Sequence, residues 1–96
     1  MAATIPWRLT LAVEKLAISG DETILEIGCG RGLAVALLCS RLRGGTITAI
    51  DRSTTAIEAA RKLNRGEAAR RKAFFCEASI EAFDGRGLLF DIVFAI

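Results

Sequence analysis

Three glycines at alternate positions, Gly28, Gly30 and Gly32, separate two apolar stretches in the first half of the chain. Glycine has no Cβ, so it permits a tight turn with positive φ and lets a ligand approach the backbone closely. An acidic residue, Glu26, lies two positions before the first of them. The spacing predicts a ligand-binding turn between a strand and a helix, unless the glycines serve packing alone.

A dinucleotide site would be one use for this turn, because its fingerprint G-x-G-x-x-G also follows a strand. In that fingerprint the third glycine would fall at position 33, which is Leu33. The pyrophosphate of a dinucleotide binds at an uncluttered helix N-terminus and is repelled by a carboxylate such as that of Glu26. The residues therefore disfavour a dinucleotide.

Two further carboxylates lie next to apolar segments. Asp51 comes directly after Thr46–Ile50, where a carboxylate can accept both hydroxyls of a ribose. The same residue could instead supply a negative charge at the N-terminus of the next helix. Asp91 lies near the start of FDIVFAI, at Phe90–Ile96, and suits a structural carboxylate as well as a ligand.

The pattern E-x-G-x-G-x-G over Glu26–Gly32 resembles motif I of the class I S-adenosylmethionine-dependent methyltransferases. The resemblance extends from about Ile5 to Ile96 and includes Asp51, FCEAS at Phe75–Ser79 and FDIVFAI. It implies S-adenosyl-L-methionine as the cofactor and transfer of its methyl group to an acceptor. This cofactor has a sulfonium and an ammonium group and no phosphate, so an acid beside the glycines attracts it.

The resemblance also implies which residues bind the cofactor. It places Asp51 on the ribose, Arg52 against the adenine, and Glu77 with Ala78 at the adenine amino group. The full set is Glu26, Gly28, Cys29, Gly30, Gly32, Asp51, Arg52, Glu77, Ala78 and Ala95. No catalytic residue and no metal ligand are assigned. Relatives that methylate base amino groups often have Asp/Asn-Pro-Pro-aromatic where this chain has Ile96, so a small-molecule acceptor is expected rather than nucleic acid.

These residues come together only if alternating strands and helices position them. The apolar patterns predict helices over 7–19 and Gly32–Arg41, and a third helix that has Ser53, Thr54 or Thr55 as its N-cap. In this third helix Thr55 and Glu58 have capping-box spacing, and the buried face is Ala56, Ile57, Ala60 and Leu63. Strands are predicted over Thr23–Ile27, Thr46–Ile50, Lys72–Ala78 and Leu88–Ile96, with a short turn or helix over Ser79–Phe83.

Such alternation predicts an α/β fold, a Rossmann-like, doubly wound parallel sheet covered on both faces. Right-handed crossovers give the strand order 3-2-1-4. Ligands of these sheets bind beyond the carboxyl ends of the strands, at the switch point between strands 1 and 4. The glycine turn lies at that point.

The resembling family has seven strands in a domain of roughly twice this length, so residues 1–96 are expected to be a partial domain, truncated after strand 4. Its last strand would then be an exposed apolar edge, open to self-association or to a partner. A fragment of a methyltransferase is the leading hypothesis. The alternative is a non-catalytic module that binds the cofactor or a partner and has lost the acceptor site.

Charge and cysteine content add weaker expectations. The net charge is +2, from 13 basic and 11 acidic residues, and requires no polyanionic partner. The basic segment Arg61–Lys72 could be a nucleic-acid patch, but lacks the tyrosine or tryptophan that base stacking favours, so a solvated helix face is preferred. Three cysteines, no histidine, no signal peptide and no long apolar run indicate a cytoplasmic protein with reduced thiols and no membrane segment.

Overall fold

Short apolar segments rich in β-branched residues form one parallel sheet in the computed structural model, which describes residues 4–96. The strands are β1 (Thr23–Ile27), β2 (Thr46–Asp51), β3 (Ala73–Glu77) and β4 (Ile92–Ala95). The helices are α1 (Trp7–Lys15), α2 (Leu33–Cys39), α3 (Thr54–Leu63) and α4 (Arg65–Ala69), and a 3₁₀ turn spans Gly85–Gly87. Residues 1–3 of the expected 1–96 domain lie outside the described part of the chain.

The sheet has the order β3-β2-β1-β4 with all neighbours parallel, as predicted. The chain runs from β1 through α2 to β2, then through α3 and α4 to β3, and finally crosses back to place β4 against the other side of β1. Strands β2 and β3 therefore lie on one side of β1 and β4 lies on the other, so β1 is the switch point of the sheet. The carboxyl ends of β1 and β2, which precede the glycine turn and α3, are adjacent at this edge of the sheet.

Helices cover one face of the sheet. Because side chains alternate along a strand, one register row across the four strands is Ala73, Ile47, Ile24 and Ile92. These residues join a core cluster with the apolar sides of the helices, including Val13 of α1, Val35 and Leu38 of α2, and Ile57 and Ala60 of α3. The two right-handed crossovers step in the same direction, which puts α2 and α3 on the same face.

The opposite face is covered at its centre and open toward its edges. Its register row runs Phe74, Thr48, Leu25 and Val93. Thr48 and Leu25 are buried, whereas Phe74 is 37% exposed and Val93 55% exposed. The predicted cover on both faces is therefore complete only over the two central strands.

Side chains that accept hydrogen bonds from backbone N–H groups determine the ends of two helices. The first helix ends at Lys15 rather than at 19, because Ala17 takes a positive φ of 51° and Glu22 accepts from the backbone N–H groups of Ser19 and Gly20 at 2.7 and 2.8 Å. Helix α3 is capped by Ser53, whose hydroxyl accepts from Ala56 N at 3.1 Å. Ser53 is one of the three N-caps predicted for this helix, and the alternative of a capping box at Thr55 is wrong.

The second half of the chain has shorter strands than predicted and one additional helix. Strand β4 covers Ile92–Ala95 rather than Leu88–Ile96, and Leu89 is 92% exposed. Within the basic segment, Arg65–Ala69 forms α4, and Leu63, expected on the buried face of α3, is 42% exposed. No helix among residues 4–96 has the length and apolar character needed to cross a membrane.

Asp91 is a structural carboxylate, one of its two predicted roles. Its Oδ2 accepts from Thr23 N at 2.8 Å, and its own N–H donates to Thr23 O at 2.7 Å. Thr23 begins β1, at the end of the strand away from the glycine turn. Asp91 therefore fixes the entry into β4 and is remote from the candidate site.

Candidate functional site

The glycine turn after β1 is held by the neighbouring strand. The N–H groups of Gly28 and Cys29 both donate to Ile50 O, at 2.8 and 3.0 Å. All three glycines have positive φ, 74° at Gly28, 55° at Gly30 and 83° at Gly32. L-residues reach this region only with strain, so the sequence needs glycine at each of these positions to turn from β1 into α2.

The glycines differ in what surrounds them. A Cβ added at Gly28 or Gly30 would meet nothing within 4 Å, so these two leave open space above the turn. A Cβ at Gly32 would lie 2.7 Å from Asn64 Nδ2 and 3.0 Å from the Ala60 Cβ. The first two glycines therefore form a cradle open to a ligand, and the third permits close packing of α2 against α3.

Asp51 ties the cradle to the start of α3. Its Oδ2 accepts from Gly30 N and its Oδ1 accepts from Ser53 N, both at 2.9 Å. Because each carboxylate oxygen can accept more than one hydrogen bond, the group can still accept from two hydroxyls of a ligand. Both roles expected for Asp51 are therefore compatible with one position.

A cavity of about 470 Å³ opens beside this carboxylate at the carboxyl edge of the sheet. Its lining residues come from the carboxyl ends of β1 and β2 and from the segment that follows β3: Ile27, Gly28, Ile50, Asp51, Arg52, Ala78, Ser79, Ile80 and Glu81. The sequence-predicted residues Asp51, Arg52 and Ala78 thus meet in one place. We refer to it as the Asp51 cavity.

Ser79 and Glu81 are polar residues of the Asp51 cavity that the sequence analysis missed. The pKa of the Glu81 carboxyl is held below its usual value by its own backbone N–H, by the Ser79 hydroxyl and by the charge of Arg52. Both residues follow the end of a predicted strand, and ligands of parallel sheets bind at such positions. Their place in the sequence could therefore have predicted that they belong to the site.

Glu26 is a buried carboxylate without a partner. It is 3% exposed, and its register neighbours across the sheet are Ala49 and Phe94. Its Oε1 is fully buried and has no hydrogen-bond partner among residues 4–96. Burial, and then the charge of Asp51, raise the pKa of Glu26 from 4.5 to about 7. The fold thus keeps an acid in an apolar setting that disfavours its charge.

Glu26 borders a second cavity, of about 140 Å³, on the helical side of the turn. We call it the Glu26 cavity. It is lined by Leu9, Glu26, Gly28, Cys29, Arg31, Leu33, Ala34 and Ile96. Gly28 lines both cavities. A single elongated ligand could therefore pass over Gly28 with one end near Asp51 and the other near Glu26.

Cys29 contributes a neutral wall to the Glu26 cavity. The residue is 7% exposed, and burial, followed by the charges of Glu26 and Asp51, raises the pKa of its thiol to about 12. A nucleophilic cysteine needs a lowered pKa. Cys29 is therefore protonated at neutral pH and unsuited to nucleophilic attack.

Two residues expected to bind the cofactor line neither of these cavities. Glu77 is exposed and pairs with Asp51 across β3 and β2, and it lines an adjoining cavity of about 350 Å³ that shares Ala78 with the Asp51 cavity. Ala95 is exposed at the end of β4, where it pairs with Ile27. Ile96, the next residue, lines the Glu26 cavity instead. The expected contacts of Glu77 with an adenine and of Ala95 with the cofactor stay predictions.

Asn64 is a positioning residue that the sequence analysis also missed. It is 3% exposed, and its Nδ2 donates to Gly32 O and to Ala60 O, both at 3.0 Å. These bonds join the end of the glycine turn to the end of α3. No local pattern marked this asparagine, because its partner Gly32 is distant in sequence.

A family model matches residues 24–96, most of the chain, and its description is "Methyltransferase domain". Among curated proteins, malonyl-[acyl-carrier protein] O-methyltransferase of Priestia megaterium (strain DSM 319 / IMG 1521) is 51% identical over 42 residues. That segment is 44% of this chain and 15% of the relative. The matched part is therefore a small share of that protein.

Solved structures agree on the fold. The plantazolicin methyltransferase BpumL in complex with SAH is 29% identical with a TM-score of 0.75, over 94% of this chain and 35% of that chain. Protein-L-isoaspartate O-methyltransferase has a TM-score of 0.79 at 18% identity, over 97% of this chain and 29% of that chain, and at this identity shows the fold alone. The chain thus spans about a third of the length of these structures.

Proposed function

The chain belongs to the methyltransferase domain family, and from this premise we propose that it binds S-adenosylmethionine across the Asp51 and Glu26 cavities and serves methyl transfer. The cradle at Gly28 and Gly30 leaves room for a ligand against the backbone. Glu26 at one end has no hydrogen-bond or ion-pair partner among residues 4–96, although Arg31 lines the same cavity, and Asp51 at the other end has free lone pairs. A cofactor with a cationic end and a ribose matches both.

The observation that supports this proposal most is the buried Glu26 Oε1 without a partner. A buried polar atom left unpaired costs about 1–3 kcal/mol, and a cation beside it would remove that cost. A phosphate there would be repelled by the carboxylate. Glu26 thus favours S-adenosylmethionine over a dinucleotide.

Each group of the site has its own task in this proposal. Glu26 binds the positively charged methionine end, and Asp51 orients the ribose while keeping Gly30 in its turn. Arg52 and Ala78 flank the base in the Asp51 cavity. When bound, the cofactor supplies an electrophilic methyl group on a positively charged sulfur. The residues of the two cavities bind and orient it, and positioning is a large part of the catalysis of such transfers.

We further propose that the chain is the cofactor-binding part of a larger methyltransferase. In support, it spans 35% of the length of the plantazolicin methyltransferase structure. The acceptor is proposed to be a small molecule. The three cysteines are free thiols, which supports a reducing, cytoplasmic location.

Titration calorimetry tests the cofactor assignment directly. The 96-residue chain should bind S-adenosylmethionine and SAH, and should show no saturable heat with NAD. Replacing Asp51 by Asn keeps its shape and removes its charge, and should weaken binding by about 1–3 kcal/mol. The matched control is Asp91→Asn, at the far end of β1, which should leave affinity unchanged. Binding of NAD alone would overturn the proposal, and equal effects of both variants would remove Asp51 from the site.

A further inference from the structure

A groove with a basic rim lies next to the cofactor cradle, and its lining residues from α3 and α4 line neither of the two cavities proposed for the cofactor. It has a volume of about 740 Å³ and runs between the start of α2 and the end of α3 with α4. Its lining residues are Arg31, Leu33, Ala59, Lys62, Leu63, Arg65 and Gly66. We call it the basic groove.

The positive charge of the basic groove is not compensated within the described chain. Three of its lining residues are cations, and none is an acid. The ion pairs among residues 4–96 are Arg41 with Glu14 and Arg70 with Glu67, so Arg31, Lys62 and Arg65 take part in none. Glu67, the acid within α4, is held by Arg70 at 3.4 Å. The groove therefore presents three free cations on one side of the molecule.

Its floor is apolar. Leu63 is 42% exposed although it lies in a helix that buries Ile57 and Ala60, and Leu33 and Ala59 complete the apolar surface. Gly66 lies within α4, where glycine is less favourable than alanine by about 0.5–1 kcal/mol, and a Cβ there would meet nothing within 4 Å. The absence of a side chain at Gly66 keeps this part of the groove open.

The two walls of the groove are fixed relative to each other. Asn64, buried beneath it, donates to Gly32 O on one wall and to Ala60 O on the other. The groove is thus formed before any ligand binds, which reduces the entropy lost on association. Arg31 and Leu33 line both this groove and the Glu26 cavity, so an occupant would lie directly beside the proposed cofactor site.

We propose that the basic groove docks an acidic amphipathic helix of a partner protein. An apolar floor with a charged rim suits a helix with leucine-type anchors on one face and glutamates or aspartates beside them. A nucleic acid fits less well, because the groove has no aromatic lining residue on which bases could stack. The proposal goes beyond methyl-donor binding and does not depend on it.

Fluorescence anisotropy with a labelled helical peptide of about 18 residues, five turns of helix, tests this docking. The peptide has leucines at i, i+3, i+4 and i+7 and glutamates elsewhere, and a second peptide replaces glutamate by glutamine. The double variant Lys62→Glu, Arg65→Glu should bind the acidic peptide at least about tenfold more weakly than the parent chain. Leu63→Ser should also weaken it, because the apolar anchor is lost. Neither change should alter the affinity for S-adenosylmethionine.

The matched control is Arg8→Glu, Lys15→Glu, which makes the same change in net charge on exposed positions of α1. It should retain peptide binding at about 100 mM salt, where distant surface charges are largely screened. Equal losses in the two double variants would overturn the proposal, as would equal affinity for the glutamine peptide. Tighter binding of a single-stranded oligonucleotide, lost in the Lys62, Arg65 variant, would assign the groove to nucleic acid instead.

Discussion

The proposed role of Glu26 predicts that cofactor affinity depends on pH, because only the ionised carboxylate attracts a cation. Its pKa of about 7 in the free protein means that the carboxyl is mostly protonated at pH 6 and mostly ionised at pH 8. The affinity for S-adenosylmethionine should therefore fall as pH falls below 7, by about tenfold between pH 8 and pH 6. Calorimetric titrations at several pH values measure this dependence.

Two controls separate this effect from titration of the ligand. The Glu26→Gln variant should lose the difference between the two pH values, since its amide does not ionise. The neutral analogue 5′-methylthioadenosine, which lacks the methionine end, should bind the parent chain equally at both. A full pH dependence in Glu26→Gln would show that another group is responsible.

The same carboxyl should lower stability at neutral pH in the absence of a ligand. Its folded pKa of about 7 exceeds the ordinary value of 4.5, so the folded state binds more protons between these values. The free energy of unfolding contributed by Glu26 is thus greatest below pH 4.5 and decreases as pH rises to 7. The Glu26→Gln variant, relative to the parent, should gain about 2–3 kcal/mol between pH 4.5 and pH 8. Urea unfolding at both pH values tests this gain, and an unchanged difference would contradict it.

The site residues that could be predicted from the sequence are those that lie next to the end of a predicted strand. Glu26, the glycines and Asp51 are each next to a strand end, and the fold brings them together because parallel strands share one carboxyl edge. Asn64 and Ser79 were not predicted, because their roles depend on how α3 and the segment after β3 pack. Glu77 pairs with Asp51 at the ends of β3 and β2, but the cavity that it lines is formed with the 78–91 connection, whose path the apolar pattern does not determine.

At the level of elements, the glycines of the turn differ in their surroundings. Gly32 is packed between α2 and α3, whereas Gly28 and Gly30 face open space. Gly32→Ala should destabilise the protein by about 2–4 kcal/mol, because the added Cβ strains a φ of 83° and clashes with Asn64 and Ala60. Gly30→Ala has a positive φ but no clash, and should cost only about 1–2 kcal/mol. Thermal unfolding with both variants compares these losses.

Cofactor binding should respond in the opposite order. The Cβ at position 30 points into the open cradle, so Gly30→Ala should weaken S-adenosylmethionine binding more than Gly32→Ala, measured well below the unfolding temperature of each variant. If Gly32→Ala proved as stable as Gly30→Ala, the close packing of α2 on α3 through Asn64 would be refuted.

Most elements were predictable because their apolar runs are short and clearly bounded. Strand β1 occupies Thr23–Ile27 as expected, since Gly28 ends it and Asp21 and Gly20 precede it. The predicted end of α1 was wrong because the carboxylate of Glu22 stabilises a turn after the helix. Helix α4 was missed because its residues form no apolar stripe and none of them is buried.

For the whole molecule, the exposed edge at β4 predicts self-association. Strand β4 is the last in the order β3-β2-β1-β4, and Val93 and Ile96 are 55% and 59% exposed. Unpaired strand edges with apolar side chains favour pairing with another chain. Light scattering after size exclusion should show a mass that rises with concentration, and Val93→Lys should return it to that of a monomer.

The matched control is Phe74→Lys, in the same register row at the opposite edge of the sheet. It should leave the association intact if β4 is the contact. Loss of association in both variants would assign the contact to the exposed face of the sheet, and a monomer at every concentration would refute self-association.

The pairing of β4 with β1 also sets an order of assembly. The contact between Thr23 and Asp91 joins residues 68 positions apart, whereas the other two strand pairs, β1 with β2 and β2 with β3, each join strands that are consecutive in the chain. Closing a longer loop loses more chain entropy, so β1, β2 and β3 should associate before β4 joins them. Since Ile96 supplies a wall of the cavity beside Glu26, we expect this corner, which is proposed to bind the cationic end of the cofactor, to form last during folding and to open first when the chain begins to unfold.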